Sequence, residues 1–83
     1  MQISVEISMY PLDAEYEKSI LAFIQHLRTY PNIKVETNVL STQIFGAYDE
    51  VFTILQKEIK RAFEDNERVV MVSKIVNLGL SEG

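Results

Sequence analysis

The feature that most constrains the fold is an unbroken alternation of apolar and polar side chains at the start of the chain. The apolar residues are Ile3, Val5, Ile7 and Met9, and the polar residues are Gln2, Ser4, Glu6 and Ser8. Successive side chains of a β-strand point to opposite faces of the sheet. The pattern therefore predicts a strand with one buried face and one polar face, ending at Pro11.

A helix is predicted after this strand. Asp13 is a candidate N-cap, and Glu15 and Glu17 suit the positive end of the helix dipole. Apolar side chains at helical spacing predict its buried stripe, which consists of Tyr16, Ile20, Phe23, Ile24 and Leu27. The segment Tyr30-Pro31-Asn32 predicts the turn that ends it.

The rest of the chain predicts two strands, a helix and a final strand. Alternation over 33–39 places Ile33, Val35, Thr37 and Val39 on one face, and a short strand over 42–45 ends at Gly46. Asp49 is the candidate N-cap of the second helix. Its apolar face is predicted to contain Val51, Phe52, Leu55, Ile59, Ala62 and Phe63. Residues 68–76 form the last strand, and we expect 79–83 to be a frayed tail.

The predicted order is strand, helix, strand, strand, helix, strand. This order indicates an α+β fold of the ferredoxin-like type, a four-stranded antiparallel sheet with two helices on one face. We expect residues 1–83 to form a single domain, because neither a linker nor a repeat interrupts the pattern.

Composition excludes several classes of protein. Hydrophobic residues make up 47% of the chain and charged residues 24%, which is incompatible with a disordered chain. The chain has no cysteine, so a disulfide framework or a thiolate metal site is impossible. No apolar run is long enough to span a membrane, and we expect a cytoplasmic protein. The net charge of -4 argues against a nucleic-acid partner and is compatible with a cationic ligand.

Helices cover only one side of such a sheet, so the other side needs a role. In this topology the first and third strands are neighbours at the centre. If Ile44 points to the core, then Gln43 and Phe45 point outward beside Ser4, Glu6 and Ser8. A carboxylate, an amide, hydroxyls and an aromatic ring would then share one patch.

The last strand is apolar on both faces, although this topology normally places it at the sheet edge. Val69 to Val72 and Ile75 to Val76 carry no polar side chain. An exposed apolar edge is an aggregation hazard. We therefore expect the open face or this edge to pack against a second copy of the chain.

Catalytic chemistry is not expected. The sequence has no glycine-rich phosphate loop, no Ser-His-Asp set and no metal-spaced cluster of ligands. His26, the single histidine, is expected to be a surface or boundary residue. The glutamates of the helices are expected to form a solvated face; they are Glu15, Glu17, Glu50, Glu58 and Glu64. No cofactor is expected.

Several short segments together resemble one family. They are Glu6-Ile7-Ser8-Met9-Tyr10-Pro11, Thr37-Asn38, Ser41-Thr42-Gln43, Phe45-Gly46 and Tyr48-Asp49. Over essentially the whole chain the sequence resembles the YkoF-like thiamine-binding proteins. This resemblance implies a ferredoxin-like domain that binds thiamine or its hydroxymethylpyrimidine moiety without chemistry. A single copy of the domain implies assembly into a homodimer or homotetramer.

The residue types agree with that ligand, a small cationic heterocycle. Glu6 or Asp49 can supply the counter-charge, and Tyr10, Phe45 or Tyr48 the stacking ring. The groups expected to read the pyrimidine edge or to line the site are Ser8, Asn38, Ser41, Thr42 and Gln43. Asp49 has a competing role as a helix cap.

Two other functions share this topology. A small regulatory or protein-interaction module that oligomerises through its sheet is the main alternative, favoured by the open face and the apolar last strand. RNA binding is disfavoured, because RNA-binding sheets present paired aromatic residues in a basic setting, whereas this chain is acidic and offers only Phe45 on a central strand.

Overall fold

The computed structural model describes residues 1–80 and shows the expected α+β architecture. The elements are β1 (Gln2–Pro11), α1 (Tyr16–Leu27), β2 (Lys34–Thr37), β3 (Thr42–Ala47), α2 (Tyr48–Asp65) and β4 (Val69–Val76). The four strands form one antiparallel sheet in the order β2-β3-β1-β4, so β1 and β3 are central and β4 is an edge. The predicted fold class is confirmed.

The register of the sheet separates its two faces as the alternation predicted. Val5 lies opposite Ile44 between β1 and β3, and both are buried beneath the helices. Glu6 lies opposite Gln43, and Ser4 lies opposite Phe45, on the other face. Directly opposed residues of antiparallel strands share a face. We call this second side, which neither helix covers, the open face.

The core lies between the sheet and the two helices. It consists of Ile3, Val5, Ile7, Phe23, Leu27, Ile44, Val51, Ile54, Leu55 and Ala62. Gly46 lies opposite the core residue Ile3, and the space beside it is too small for most side chains. An added Cβ would lie 3.1 Å from the side chain of Val51 and 3.2 Å from that of Ile33.

No helix within residues 1–80 is long and apolar enough to cross a membrane.

Both predicted helix caps are wrong. Asp13 Oδ1 accepts a hydrogen bond from the Glu15 N–H at 2.9 Å, so it forms the turn before α1 rather than its N-cap. β3 runs directly into α2, and extended Ala47 occupies the N-cap position. Asp49 therefore lies in the first turn, where its charge still suits the helix dipole.

Some of the predicted apolar faces are also smaller than expected. Tyr16 and Phe63 are half-exposed, because they lie at the outer margins of their helices. β2 ends at Thr37, and the Val39 side chain is 99% exposed in the turn that follows. The alternation of residues 33–39 therefore continues past the point where the chain leaves the sheet.

The end of the described chain crosses the open face. Ser4 Oγ donates to the Leu78 carbonyl oxygen at 2.6 Å and accepts from the Leu80 N–H at 2.8 Å. Leu80, part of the segment expected to be frayed, is thus hydrogen-bonded to β1, and residues 81–83 lie outside the described part of the chain. This crossing explains why Phe45, the cross-strand neighbour of Ser4, is buried on a face that no helix covers.

One glutamate expected on the solvated face is buried instead. Glu58 is 2% exposed, and its Oε2 accepts a hydrogen bond from the Tyr30 hydroxyl at 2.6 Å. Within residues 1–80 its Oε1 has no hydrogen-bond partner, but it lies 3.4 Å from Arg61 Nε and 3.6 Å from His26 Nδ1. His26 is a boundary residue as expected, and Arg61 Nη1 lies 2.7 Å from its Nδ1. We call these four residues the Glu58 cluster.

The Glu58 cluster predicts a loss of stability at alkaline pH. The hydrogen bond to Glu58, assisted by burial and by the carboxylate charge, raises the pKa of Tyr30. An unfolded tyrosine loses its proton near pH 10, whereas Tyr30 keeps its proton to higher pH in the folded state. The folded state then binds more protons, so the free energy of unfolding falls as pH rises above about 10.

Urea unfolding between about pH 9 and pH 11 checks this prediction. We expect Tyr30→Phe to remove part of the decline, because phenylalanine does not titrate and the other three tyrosines remain. A decline of the same steepness in Tyr30→Phe and wild type would assign the alkaline loss to those other groups.

Candidate functional site

The candidate site is centred on Glu6, halfway along central strand β1. Its neighbours on the open face are Gln43 on β3 and Lys74 on β4. Glu6 Oε2 accepts a hydrogen bond from Ser41 Oγ at 3.0 Å and lies 3.5 Å from the Gln43 Nε2 donor. The side chain is partly buried. Both hydrogen-bond donors to this carboxylate are neutral, and among residues 1–80 no cation lies within 4 Å of it.

The turn between β2 and β3 delivers Ser41 to Glu6. Asn38 Oδ1 accepts hydrogen bonds from the backbone N–H groups of Leu40 and Ser41 at 2.8 and 2.9 Å. The Asn38 N–H donates to the Ser41 carbonyl oxygen at 3.0 Å, which closes the turn. Ser8 Oγ donates weakly to the Leu40 carbonyl oxygen at 3.4 Å. Asn38 therefore acts on the site through the conformation of this turn.

The turn and β1 enclose the larger of two cavities at the site. Its volume is about 890 Å³, and six of the ten predicted site residues line it: Glu6, Ser8, Tyr10, Asn38, Ser41 and Thr42. Side chains of α1, among them Tyr16, Ile20 and Ile24, form an apolar wall. A mostly apolar cavity with a few placed polar groups is typical of a small-molecule site.

A smaller cavity of about 320 Å³ adjoins it on the open face. Gln43 and Phe45 line it together with Ser4, Val76 and Leu80 of the crossing tail. Glu6 and Lys74 line both cavities. The two charged residues therefore stand where the cavities meet.

The predicted site residues do not all converge. Thr42 lies opposite Ile7 on the helix-covered face and is 5% exposed, so it reaches the larger cavity from within the core layer. Phe45 points to the open face as predicted, but it is 8% exposed and offers little of its ring for stacking. Of the three rings predicted for stacking, Tyr10 lines the larger cavity and is about half exposed.

Tyr48 and Asp49 lie at the other end of the sheet. The Tyr48 N–H donates to the Met1 carbonyl oxygen at 2.9 Å, and its ring packs on Phe52 with centroids 4.7 Å apart. Neither residue lines the two cavities. The six residues of β3 separate this helix start from Ser41, a distance of roughly 23 Å along a strand. Within one chain the structure therefore does not bring these two predicted site residues together with Glu6.

Sequence reasoning missed Lys74 and the apolar wall. Lys74 interrupts the apolar run of the last strand, and this was the available signal. The register that sets it opposite Glu6 cannot be read from β4 alone. The apolar wall depends on where α1 packs relative to the end of β1. The spacing of apolar residues in the sequence predicts the helix but not this position.

A third depression, of about 450 Å³, lies between α1 and α2. Its rim carries Asp13, Glu15, Lys18, Asp65 and Glu67, and its buried carboxylate is that of Glu58. Tyr30 and Arg61 already contact that carboxylate. Unlike Glu6, the Glu58 carboxylate therefore already has an arginine within 4 Å, although its Oε1 accepts no hydrogen bond from the described residues.

The model of the YkoF-related family matches residues 2–78. The chain belongs to the YkoF-related family. Membership confirms the resemblance seen in the sequence segments. No curated protein sequence matches this chain.

Solved structures share the fold. A Streptococcus pneumoniae protein superposes with a TM-score of 0.86 at 22% identity, covering 96% of this chain and 90% of its own. A Thermotoga maritima protein, named a "putative thiamine biosynthesis/salvage protein", does so with a TM-score of 0.86 at 16% identity, covering 99% and 91%. A hypothetical protein of Methanocaldococcus jannascii gives a TM-score of 0.78 at 29% identity, covering 98% and 84%.

Proposed function

We propose that this protein binds thiamine or its hydroxymethylpyrimidine moiety on the open face, without converting it. Family membership and the name of the Thermotoga maritima structure point to thiamine-related biology. The observation that carries the proposal is Glu6, a partly buried carboxylate that has no cation within 4 Å in the described part of the chain and lies where two cavities meet. A cationic thiazolium is the ligand group that this charge suits.

The energetics favour such a ligand. A carboxylate about 4 Å from a cation contributes roughly 1–4 kcal/mol between the dielectric of water and that of a protein surface, before desolvation. Stacking of the cation on the exposed ring of Tyr10 adds about 0.5–2 kcal/mol. Ser8, Ser41 and Gln43 supply hydroxyl and amide groups along the same face for the aminopyrimidine edge.

Binding without catalysis fits the distribution of reactive groups. His26 is the chain's single histidine, and it lies on the helical side with the Glu58 cluster, across the sheet from Glu6. The side chains hydrogen-bonded to Glu6 are a serine hydroxyl and an amide, neither of which is an activated base. A carrier or sensor requires no such base.

We also propose that the protein acts as a homo-oligomer. Edge strand β4 is apolar on both faces and exposed on both: Val70, Val72 and Val76 on the open face, Ile75 on the other. Exposed apolar edges of this kind are unusual unless another strand or face covers them. A second copy packed there would also close the cavities beside Glu6.

Sedimentation velocity at micromolar concentration tests the oligomer. We expect the wild type to sediment as a dimer or tetramer and Val72→Lys to sediment as a monomer, because Val72 is half-exposed on the open face and an edge lysine opposes strand pairing. Thr53→Lys, on the exposed side of α2, is the matched control and should not change the oligomer. A monomeric wild type would contradict this part of the proposal.

A regulatory or protein-interaction module is the second candidate, and the same exposed β4 favours it. The two candidates differ in what occupies the open face. A protein partner that protects Glu6 and Lys74 from chemical modification, with no heat on addition of thiamine, would favour the module.

Amide chemical-shift mapping tests the location of the site. On titration with thiamine we expect the largest shifts in residues 6–10, 38–45 and 70–76, which surround the two cavities. Largest shifts in the depression between α1 and α2 would contradict the placement on the open face. The cytoplasmic location remains a prediction, which cell fractionation would check.

A further inference from the structure

Glu6 and Lys74 are opposed across strands yet do not pair. Their Cα positions are partners in the β1–β4 register, which puts both side chains on the open face, with Cβ atoms about 5 Å apart. Among residues 1–80 the ion pairs are His26–Glu58, Lys34–Glu36 and Arg61–Glu58, so Lys74 has no carboxylate within 4 Å. Glu6 and Lys74 thus lie on the same face without forming an ion pair with each other.

The hydrogen bonds of Glu6 explain the separation. Ser41 Oγ and Gln43 Nε2 both contact its Oε2, and both belong to the β3 side of β1. The carboxylate is therefore held toward β3, away from β4. Lys74 is exposed on β4 and lines both cavities with Glu6.

A ligand carrying only a positive charge does not match this arrangement. Bound at Glu6, a thiazolium would lie beside the Lys74 ammonium, and like charges repel at such separations. A ligand that carries a cation and an anion on one molecule would satisfy both residues. A phosphate monoester is the appropriate anion, because the lysine ammonium is a common partner of phosphate and Lys74 is exposed.

We propose that the open-face site prefers the phosphate monoester of its heterocyclic ligand, with Lys74 as the residue that binds the phosphate. This inference rests on the proposed thiamine-related function. It assigns a selectivity to the site: Glu6 recognises the cationic ring, and Lys74 distinguishes the phosphorylated form from the free alcohol. The protein would then handle a phosphorylated form of the ligand.

Calorimetric titration of the full chain with thiamine and thiamine monophosphate tests the proposal. We expect the wild type to bind the monophosphate about tenfold more tightly than thiamine. The free energy of a tenfold preference is smaller than the attraction between two opposite charges near a protein surface. Lys74→Met should abolish the preference while leaving thiamine bound as tightly as before or more tightly. Lys74→Gln, which keeps a polar side chain, should give the same result.

Lys34→Met is the matched control, because Lys34 also lies on the open face but is paired with Glu36 at 3.1 Å. It should keep the preference for the monophosphate. Equal affinities in the wild type, or a preference that survives in both Lys74 variants, would overturn this inference and leave the proposed function standing. Failure of both ligands to bind the wild type would overturn the two together.

Discussion

Replacing Arg61 with methionine should lower the free energy of unfolding at neutral pH by about 2 kcal/mol, because a buried carboxylate then loses its nearest arginine. The Glu58 side chain is 1% exposed, and Arg61 Nε lies 3.4 Å from its Oε1. None of the described residues donates a hydrogen bond to that oxygen. Tyr30 continues to donate to the other oxygen, and the Arg61 side chain is 46% exposed, so the expected loss is smaller than for a fully buried pair.

The measurement is urea unfolding of the variant beside two controls. Lys57→Met removes an exposed cation from the same helix and should change stability by less than about 0.5 kcal/mol. Adding Glu58→Leu to Arg61→Met removes the stranded charge and should restore most of the loss. If the double variant stays as unstable as Arg61→Met, the arginine acts through packing of its aliphatic stem rather than through its charge.

Replacing Glu6 with glutamine should weaken thiamine binding about tenfold, or about 1.4 kcal/mol, and leave hydroxymethylpyrimidine nearly unchanged. Glutamine keeps the size of the side chain and an oxygen that accepts from Ser41, so the pocket retains its shape. Only the charge facing the cation is lost. Thiamine carries that cation, whereas the pyrimidine moiety is neutral.

Glu36→Gln is the matched control for this experiment. Glu36 lies on the open face two strands from β1 and is already paired with Lys34. Its replacement should leave the affinity for both ligands unchanged. Equal losses for thiamine and hydroxymethylpyrimidine in Glu6→Gln would remove Glu6 from the role of counter-charge.

The parts of the fold that depend on local pattern could be predicted from the sequence. The alternation of residues 2–9 identified which side chains of β1 face the core, and the parity of Ile44 placed Gln43 and Phe45 outward, as the register confirms. Period-two patterns are reliable where one face is buried, because a shift of one residue would expose the whole apolar set.

The parts that depend on distant contacts could not be predicted in this way. Val39 continues the alternation of β2, but the Asn38-centred turn removes it from the sheet. Glu58 looks like a surface residue until Tyr30, 28 positions earlier, is brought against it. Asp49 resembles both a helix cap and a site residue. However, β3 continues into α2 without a loop, so Asp49 lies in the first turn of α2, at the end of β3 that is far from Ser41.

The candidate site likewise combines residues that could be predicted from local pattern with residues that depend on distant contacts. Glu6, Ser8, Tyr10 and Ser41 were predicted from strand parity and family resemblance, and they line one cavity. Lys74 required the β1–β4 register, and the burial of Phe45 required the tail to return across Ser4. The charge pattern proposed to select the ligand is thus set by tertiary structure rather than by a local motif.

The central claim is that the open face binds thiamine or its pyrimidine moiety, and calorimetric titration of the wild-type protein with each compound tests it most directly. We predict saturable heat with a dissociation constant in the micromolar range or tighter, an affinity of about 8 kcal/mol or more. The absence of both heat and any thermal stabilisation with either compound would contradict the claim.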